Sequence, residues 1–328
     1  MTREGSGSGK LILFGEHAAV YGLPAVGTSL PCRTVLRFNS ENIPPNRHQS
    51  DRSWPSSRNA IRTEGASREC RNILSKLLDD LGQLDNPKYL PPLGSWQIRS
   101  DVPQAGGFGS SGALCVAVAR IVLDKPDNQY DREVHILANL LERRFHGTPS
   151  GIDTGMSTDN GSALWISSHN QLPKRCAISI PRWHLLYGAL PRVSNTANNV
   201  SFFRREMESQ KPELISAMNE LGELSMDFAA LAAKKKNNFS QAAARLVNRA
   251  QEILTALGLS LPTLNRVLSI AAEEGAIGGK LSGGGSGGAF YLCAPTQAIR
   301  DELLKVLPER FAREDISLAL NLTPLDFG

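Results

Sequence analysis

Residues 103–125 read PQAGGFGSSGALCVAVARIVLDK, and the fold turns on whether the glycines and serines at its start are a slack linker or the entrance to a helix. A linker would run on into polar sequence. Here Ser110 and Ser111 stand directly before ALCVAVARIVL, which is apolar on nearly every side and long enough for a buried helix. Serines at such a junction are natural N-caps. The first N–H groups of a helix lack partners inside it and lie at the positive end of its dipole. Gly106, Gly107, Gly109 and Gly112 would leave that backbone open to a bulky anion. On these residues alone a phosphate cradle and a bare capped turn are both open readings.

The surrounding chain sets the frame. At 328 residues it exceeds one ordinary core, which predicts two domains. Strand-like segments (LILF at 11–14, TVLRF at 34–38, SWQIRSDVP at 95–103, HLLYGAL at 184–190, ISLALNL at 316–322) mix with helical ones in both halves. The helical segments are 72–84, 133–147, roughly 199–256 with a break near Asn237 and Asn238, 261–275 and 296–311. This mixture predicts an α+β chain with a boundary near residue 180, hence domains at 1–180 and 181–328. Residues 39–69 are rich in Pro, Ser, Asn and Arg and poor in aliphatics, the composition of a flexible surface insertion.

A formal charge of +4 is too small to argue for nucleic acid or membrane partners, and Lys234, Lys235 and Lys236 read as a solvated helix end. Cys32, Cys70, Cys115, Cys176 and Cys293 are widely spaced and odd in number, which predicts free thiols in a reducing compartment. No apolar run reaches membrane-span length, and MTREGSGSGK has no signal-peptide apolar region, so the expected location is cytoplasmic.

Two further glycine stretches flank the first. GSGSGKL (5–11) looks like a P-loop but fails its pattern, with Glu4 at the first glycine position and Leu11 where a Ser or Thr would hold magnesium. It also precedes a strand. KLSGGGSGGAFYL (280–292) holds more glycine than a single turn needs, as expected of a backbone in close approach to a ligand.

Phosphoryl transfer needs charge compensation on the phosphates and a carboxylate at the acceptor hydroxyl. Asp153 lies in HGTPSGIDTGMST (146–158), a loop-like stretch that either displays a carboxylate or merely turns. Glu142 falls late in a helix, where its charge opposes the dipole; a metal ion would offset this, and so would Arg143 or Arg144. Lys10, taken alone, reads as a solvated side chain ahead of the first strand.

Taken in order, GKLILFGEHAAVYGLPAV (9–26), PQAGGFGSSGALCVAVA (103–119) and GGKLSGGGSGGAFYL (278–292) resemble the three signature motifs of the galactokinase, homoserine kinase, mevalonate kinase and phosphomevalonate kinase (GHMP) superfamily. GEHAAVYG resembles the form carried by the superfamily's mevalonate kinases, and FHGTPSGIDTGMST resembles their segment bearing the catalytic aspartate. The resemblance implies an N-terminal ATP-binding domain like the second domain of ribosomal protein S5 and a ferredoxin-like C-terminal domain. It implies Asp153 and Lys10 as catalytic residues, Gly106, Gly107, Gly109, Ser110, Ser111 and Gly112 around ATP, and Ser111 with Glu142 on Mg²⁺. Glu16, His17 and Thr196 are implied on the substrate side.

The sequence departs from the pattern at Phe108, where leucine is usual, at Gly112 for alanine, at Ser286 for glycine, and at Ser194 for arginine. The implied activity is ATP-dependent phosphorylation of the C5 hydroxyl of mevalonate, with mevalonate and ATP as partners and a homodimer left open. Another small-alcohol or sugar kinase of the superfamily, phosphomevalonate kinase included, and a ligand-responsive regulator without turnover are the alternatives.

Overall fold

The structure is a computed structural model that describes residues 1–40, 60–63, 68–84, 86–91, 94–104, 106–125, 127, 129–168, 171–193, 211–235 and 238–328. Packing groups the chain into two compact units, each discontinuous in sequence. The first takes Met1–Lys10, Ser29–Val102 and Gly109–Asn160, and the second Leu11–Thr28, Pro103–Phe108 and Gly161–Gly328.

In the first unit the glycine stretch at 5–9 is a strand. β1 (Thr2–Phe14) includes Lys10, which the sequence had placed just ahead of a strand. A Cβ on Gly5 would lie 2.5 Å from the Ala117 carbonyl oxygen, and one on Gly7 would overlap the Ala113 carbonyl and lie 2.7 Å from Ala113 Cα. Alternate residues of a strand share a face. Gly5 and Gly7 therefore let the backbone of α2 (Ser110–Leu123) settle on β1 over Ala113 and Ala117, one helical turn apart.

Residues Thr34–Ser40 of β2 (Ala25–Ser40) pair antiparallel with β4 (Gly94–Ser100), and β3 (Ala60–Thr63) pairs parallel with β4. Helices α1 (Arg68–Gly82), α3 (Arg132–His146) and α4 (Ile152–Thr158) complete the unit. Its core joins Phe38 and Trp96 from the strands to Leu77 of α1, Val118 of α2 and Leu137 of α3. Of the expected insertion at 39–69, Asn39 and Ser40 end β2, residues 60–63 form β3, and α1 begins at Arg68; residues 41–59 and 64–67 lie outside the described residues. Regular structure thus reaches into both ends of that segment.

In the second unit Ala25–Thr28 of β2 pair with β5 (Ser162–Ser168), which pairs in turn with β6 (Gln171–Ile178). A second, antiparallel sheet holds β7 (Trp183–Leu190), β8 (Gly278–Leu281), β9 (Gly288–Ala294) and β10 (Leu320–Phe327), in the order β10-β7-β9-β8. Counted from β7, that order is 4-1-3-2. Helices α5 (Pro212–Ala233), α6 (Phe239–Ala256) and α7 (Pro262–Glu273) follow its first strand, and α8 (Gln297–Arg313) its third. This is the ferredoxin-like arrangement the sequence implied.

Trp183 anchors the unit's core between Phe228, Phe239 and Phe327. The last strand starts at Leu320 and not at Ile316. Asp315 takes a left-handed conformation (φ 55°), and Ile316 N–H turns back to the Phe311 carbonyl, so these residues finish α8. All five cysteines are free thiols, and no helix of the described residues is long and apolar enough to cross a membrane.

Candidate active site

The start of α2 differs from expectation in one respect. Its N-cap is Gly109, in the left-handed region at φ 76°, and Ser110 and Ser111 lie inside the first turn. No described side chain caps the helix, so the N–H groups at its start are left to an acceptor from elsewhere. Glycine is required at 109: a Cβ there would stand 2.6 Å from Lys10 Cγ, and left-handed backbone disfavours any other residue.

Ser111 Oγ donates to Glu142 Oε1 at 2.8 Å. Glu142 is buried, and its Oε2 has no hydrogen-bond partner among the described residues. A bare carboxylate oxygen out of water is costly, and a cation beside Ser111 would remove that cost. Arg144 does not serve, since it pairs with Asp80 at 2.6 Å. His146, one turn further along α3, places Nε2 3.2 Å from Glu142 Oε1, and that carboxylate raises the His146 pKa. Among the described residues no cluster of three His, Cys, Asp or Glu side chains could hold a metal. Mg²⁺ suits such a place, because it binds through one or two protein oxygens together with substrate phosphates.

The IDTGMST stretch (152–158) forms a helix where the sequence suggested a loop. Asp153 sits in the first turn of α4, behind Gly151 at φ 81°. Lys10 Nζ lies 3.0 Å from Asp153 Oδ1, with the lysine side chain 5% exposed and the carboxylate 40% exposed. The lysine stem runs against Gly109 while its ammonium meets Asp153. A Cβ on Gly112 would stand 3.2 Å from Ser157 Oγ and 3.5 Å from the Asp153 carbonyl. The first unit thus brings Lys10, Gly109, Ser110, Ser111, Gly112, Glu142 and Asp153 together. It offers backbone donors for phosphate, a serine and carboxylate for a cation, and an exposed carboxylate backed by a buried ammonium.

The chain matches the GHMP kinases N terminal domain over residues 71–161 and the GHMP kinases C terminal domain over residues 228–313. It belongs to the GHMP kinase family. A curated relative, the mevalonate kinase of Pyrococcus abyssi (strain GE5 / Orsay), is 29% identical over 304 residues, 88% of each chain. Among solved structures, L. major mevalonate kinase in complex with R-mevalonate matches with a TM-score of 0.75 at 22% identity, over 100% of this chain and 97% of that one. Streptococcus pneumoniae phosphomevalonate kinase in complex with phosphomevalonate and AMPPNP matches with a TM-score of 0.73 at 14% identity, over 100% of both chains. The fold alone therefore does not select the acceptor within the GHMP kinases.

Of the remaining expected site residues of this GHMP kinase, Glu16, His17, Gly106 and Gly107 lie in its second unit. Glu16 forms an ion pair with Lys280 in which both side chains are 0% exposed. Lys280 also donates to the Leu281 carbonyl at 2.7 Å and lies 5.4 Å from the centroid of the Tyr291 ring, whose hydroxyl donates to the Leu13 carbonyl. Burial lowers the Lys280 pKa, against the pull of Glu16.

His17, at φ 56°, is buried with Nε2 3.2 Å from the Gly284 carbonyl, and burial lowers its pKa to about 4. It is therefore a neutral donor that ties the first motif to the third glycine stretch. A Cβ on Gly106 would stand 2.8 Å from the Phe108 ring, which packs edge-on against Tyr187. Gly107 makes room for Arg192, whose Nη2 would be 3.0 Å from a Cβ there. Thr196 lies outside the described residues.

Sequence reasoning missed His146, Lys280, Arg192 and Ser157. Only His146 carried a local signal, its i,i+4 spacing from Glu142.

Proposed function

We propose that this GHMP kinase transfers the terminal phosphoryl group of ATP to the C5 hydroxyl of (R)-mevalonate, in the cytoplasm, as a step of isoprenoid biosynthesis. The observation that carries the reading is the Lys10–Asp153 pair set against the start of α2, with Ser111 bound to Glu142. The mevalonate kinases similar to this chain over 88% of its length support mevalonate as the acceptor. In this reading residues 1–180 are the ATP-binding domain and 181–328 the C-terminal GHMP domain, with Glu16, His17 and Thr196 on the substrate side.

Asp153 accepts the proton of the C5 hydroxyl as its oxygen attacks phosphorus. Lys10, buried beneath it, offsets negative charge around the hydroxyl and the moving phosphoryl group. The N–H groups of Ser110, Ser111 and Gly112 hold phosphate oxygens at the positive end of α2. Mg²⁺, held by Glu142 and Ser111, would supply charge compensation on the phosphates.

Assay of ATP with mevalonate, phosphomevalonate, homoserine and galactose tests the reading, with ADP release expected from mevalonate alone. Asp153→Asn should lower kcat by roughly 10²–10⁴-fold while ATP affinity stays near that of the unaltered protein. ADP release from a different acceptor, or near-normal turnover in Asp153→Asn, would overturn it.

A further inference from the structure

Asp153 stands two residues after Gly151, the left-handed residue at which α4 starts. A helix of seven residues has little intrinsic stability, so something outside it must hold its entrance. The Gly151 carbonyl accepts the first helical hydrogen bond from Gly155 N–H at 2.9 Å, another from His135 Nε2 at 2.6 Å, and a longer one from Thr154 Oγ1 at 3.3 Å. A carbonyl has no proton to give, so Nε2 carries the hydrogen. In a neutral ring Nδ1 is then an acceptor, and Tyr130 Oη, 2.9 Å from Nδ1, donates to it. Tyr130, His135 and the Gly151 carbonyl therefore form a directed chain of two hydrogen bonds.

His135 is fully buried, and burial lowers its pKa to about 4, with the bond to Gly151 acting in the opposite sense. The ring thus stays neutral in ordinary buffer, and its tautomer is set by its two partners. Its backbone is anchored as well. His135 N–H donates to the Asp131 carbonyl, and the Asp131 side chain caps α3 through the N–H groups of Glu133 and Val134. Two turns further along the same α3 stands Glu142. One helix therefore presents the carboxylate next to Ser111 and also grips the entrance of the helix that carries Asp153.

We propose that His135, oriented by Tyr130, is a positioning residue that fixes Gly151 and so sets where the Asp153 carboxylate stands relative to Lys10 and Glu142. This rests on Asp153 being the group that receives the acceptor's proton. Displacing a reacting group by about 1 Å costs up to ~10²-fold in rate, so loss of the Nε2 donor should appear in kcat and leave ATP binding alone.

The test compares His135→Leu, which removes the donor, His135→Gln, whose side-chain amide can still donate to the Gly151 carbonyl, and Tyr130→Phe. Each is measured for kcat, KM for the acceptor, ATP affinity and hydrogen exchange at the Gly155 amide. His135→Leu should lower kcat by about tenfold or more with ATP affinity unchanged and speed exchange at Gly155. His135→Gln should recover most of both. Tyr130→Phe should fall between them, and it keeps the test open if His135→Leu does not fold. Equal kcat in the Leu and Gln variants, or Gly155 exchange unaltered in all three, would overturn the proposal. Failure of the mevalonate reading looks different, because the unaltered protein would then show no turnover of mevalonate while the exchange at Gly155 still reports on His135.

Discussion

Gly7→Ala tests the seam between β1 and α2, on which the start of α2 and Lys10 both depend. The new Cβ would lie 2.7 Å from Ala113 Cα, about 0.7 Å inside an ordinary contact of 3.4 Å, and would overlap the Ala113 carbonyl outright. These are backbone atoms and cannot swing aside. Relief requires strand and helix to part by roughly 1 Å, which also loosens Gly5 against Ala117. Overpacking of this kind costs about 1–3 kcal/mol, and the backbone obstacle puts Gly7 toward the upper end. Alanine recovers roughly 0.5–1 kcal/mol of glycine's entropic cost in a strand, leaving a net loss of about 2 kcal/mol.

Lys10 is three residues further along β1 and its stem touches Gly109, so parting the seam should also raise KM for ATP. Gly161→Ala is the control, because a Cβ there meets nothing within 4 Å. Denaturant unfolding of both variants, with ATP kinetics, measures the difference. A Gly7→Ala protein within about 0.5 kcal/mol of the Gly161→Ala control, with an unchanged KM for ATP, would refute the packing argument.

Lys280→Met leaves the Glu16 carboxylate buried without the ammonium it faces, and should cost about 3–5 kcal/mol in denaturant unfolding. Lys280→Met with Glu16→Gln should cost less than the two single changes added together by roughly 1–3 kcal/mol, and strict additivity would show that the two groups are not coupled. Burial lowers His17 and His135 to about 4 from 6.5, so between those pH values the unfolded chain binds more protons than the folded one. Their contribution to stability is complete above pH 6.5 and is lost as pH falls toward 4, by up to about 3 kcal/mol for each histidine. His135→Gln should flatten the fall in unfolding midpoint across that range, and an unaltered slope would count against a buried neutral ring at 135.

The order of the three glycine stretches was legible in the sequence, because each depends on residue types at short spacing. The ferredoxin-like sheet and the grouping of Lys10, Ser111, Glu142 and Asp153 came only through the resemblance those stretches carry, since the four residues lie far apart along the chain. The partner of Glu16 was not legible, because Lys280 is 264 residues away and reaches it only through the folding of the second unit. Nor was α4. Gly, Ser, Thr and Asp all have poor helix propensity, and GIDTGMST reads as a loop until Ile152 and Met156 are seen to be buried. Tertiary packing, which propensity does not contain, decides that segment. The serines before α2 misled in a smaller way. As capping residues they suit the junction, but Gly109 takes the cap and Ser111 turns to Glu142.

The three glycine stretches look alike as text and act by different physics. At 5–9 glycine admits the backbone of a helix onto a strand. At 106–109 it makes room for the Phe108 ring, the Arg192 guanidinium and the Lys10 stem in turn. At 285–288 a Cβ on Gly285 would press on the Leu259 carbonyl, and one on Gly287 would overlap that of Pro191. The two departures from the family pattern in the second stretch follow from the same close packing. Phe108 is fully buried against Tyr187, so its size is spent on the core of the second unit. Gly112 faces Ser157, whose buried hydroxyl has no hydrogen-bond partner among the described residues. A methyl group on residue 112 would press on that hydroxyl at 3.2 Å. Glycine there keeps α2 close to α4, and so keeps the N-terminal end of one helix beside the Asp153 carboxylate of the other.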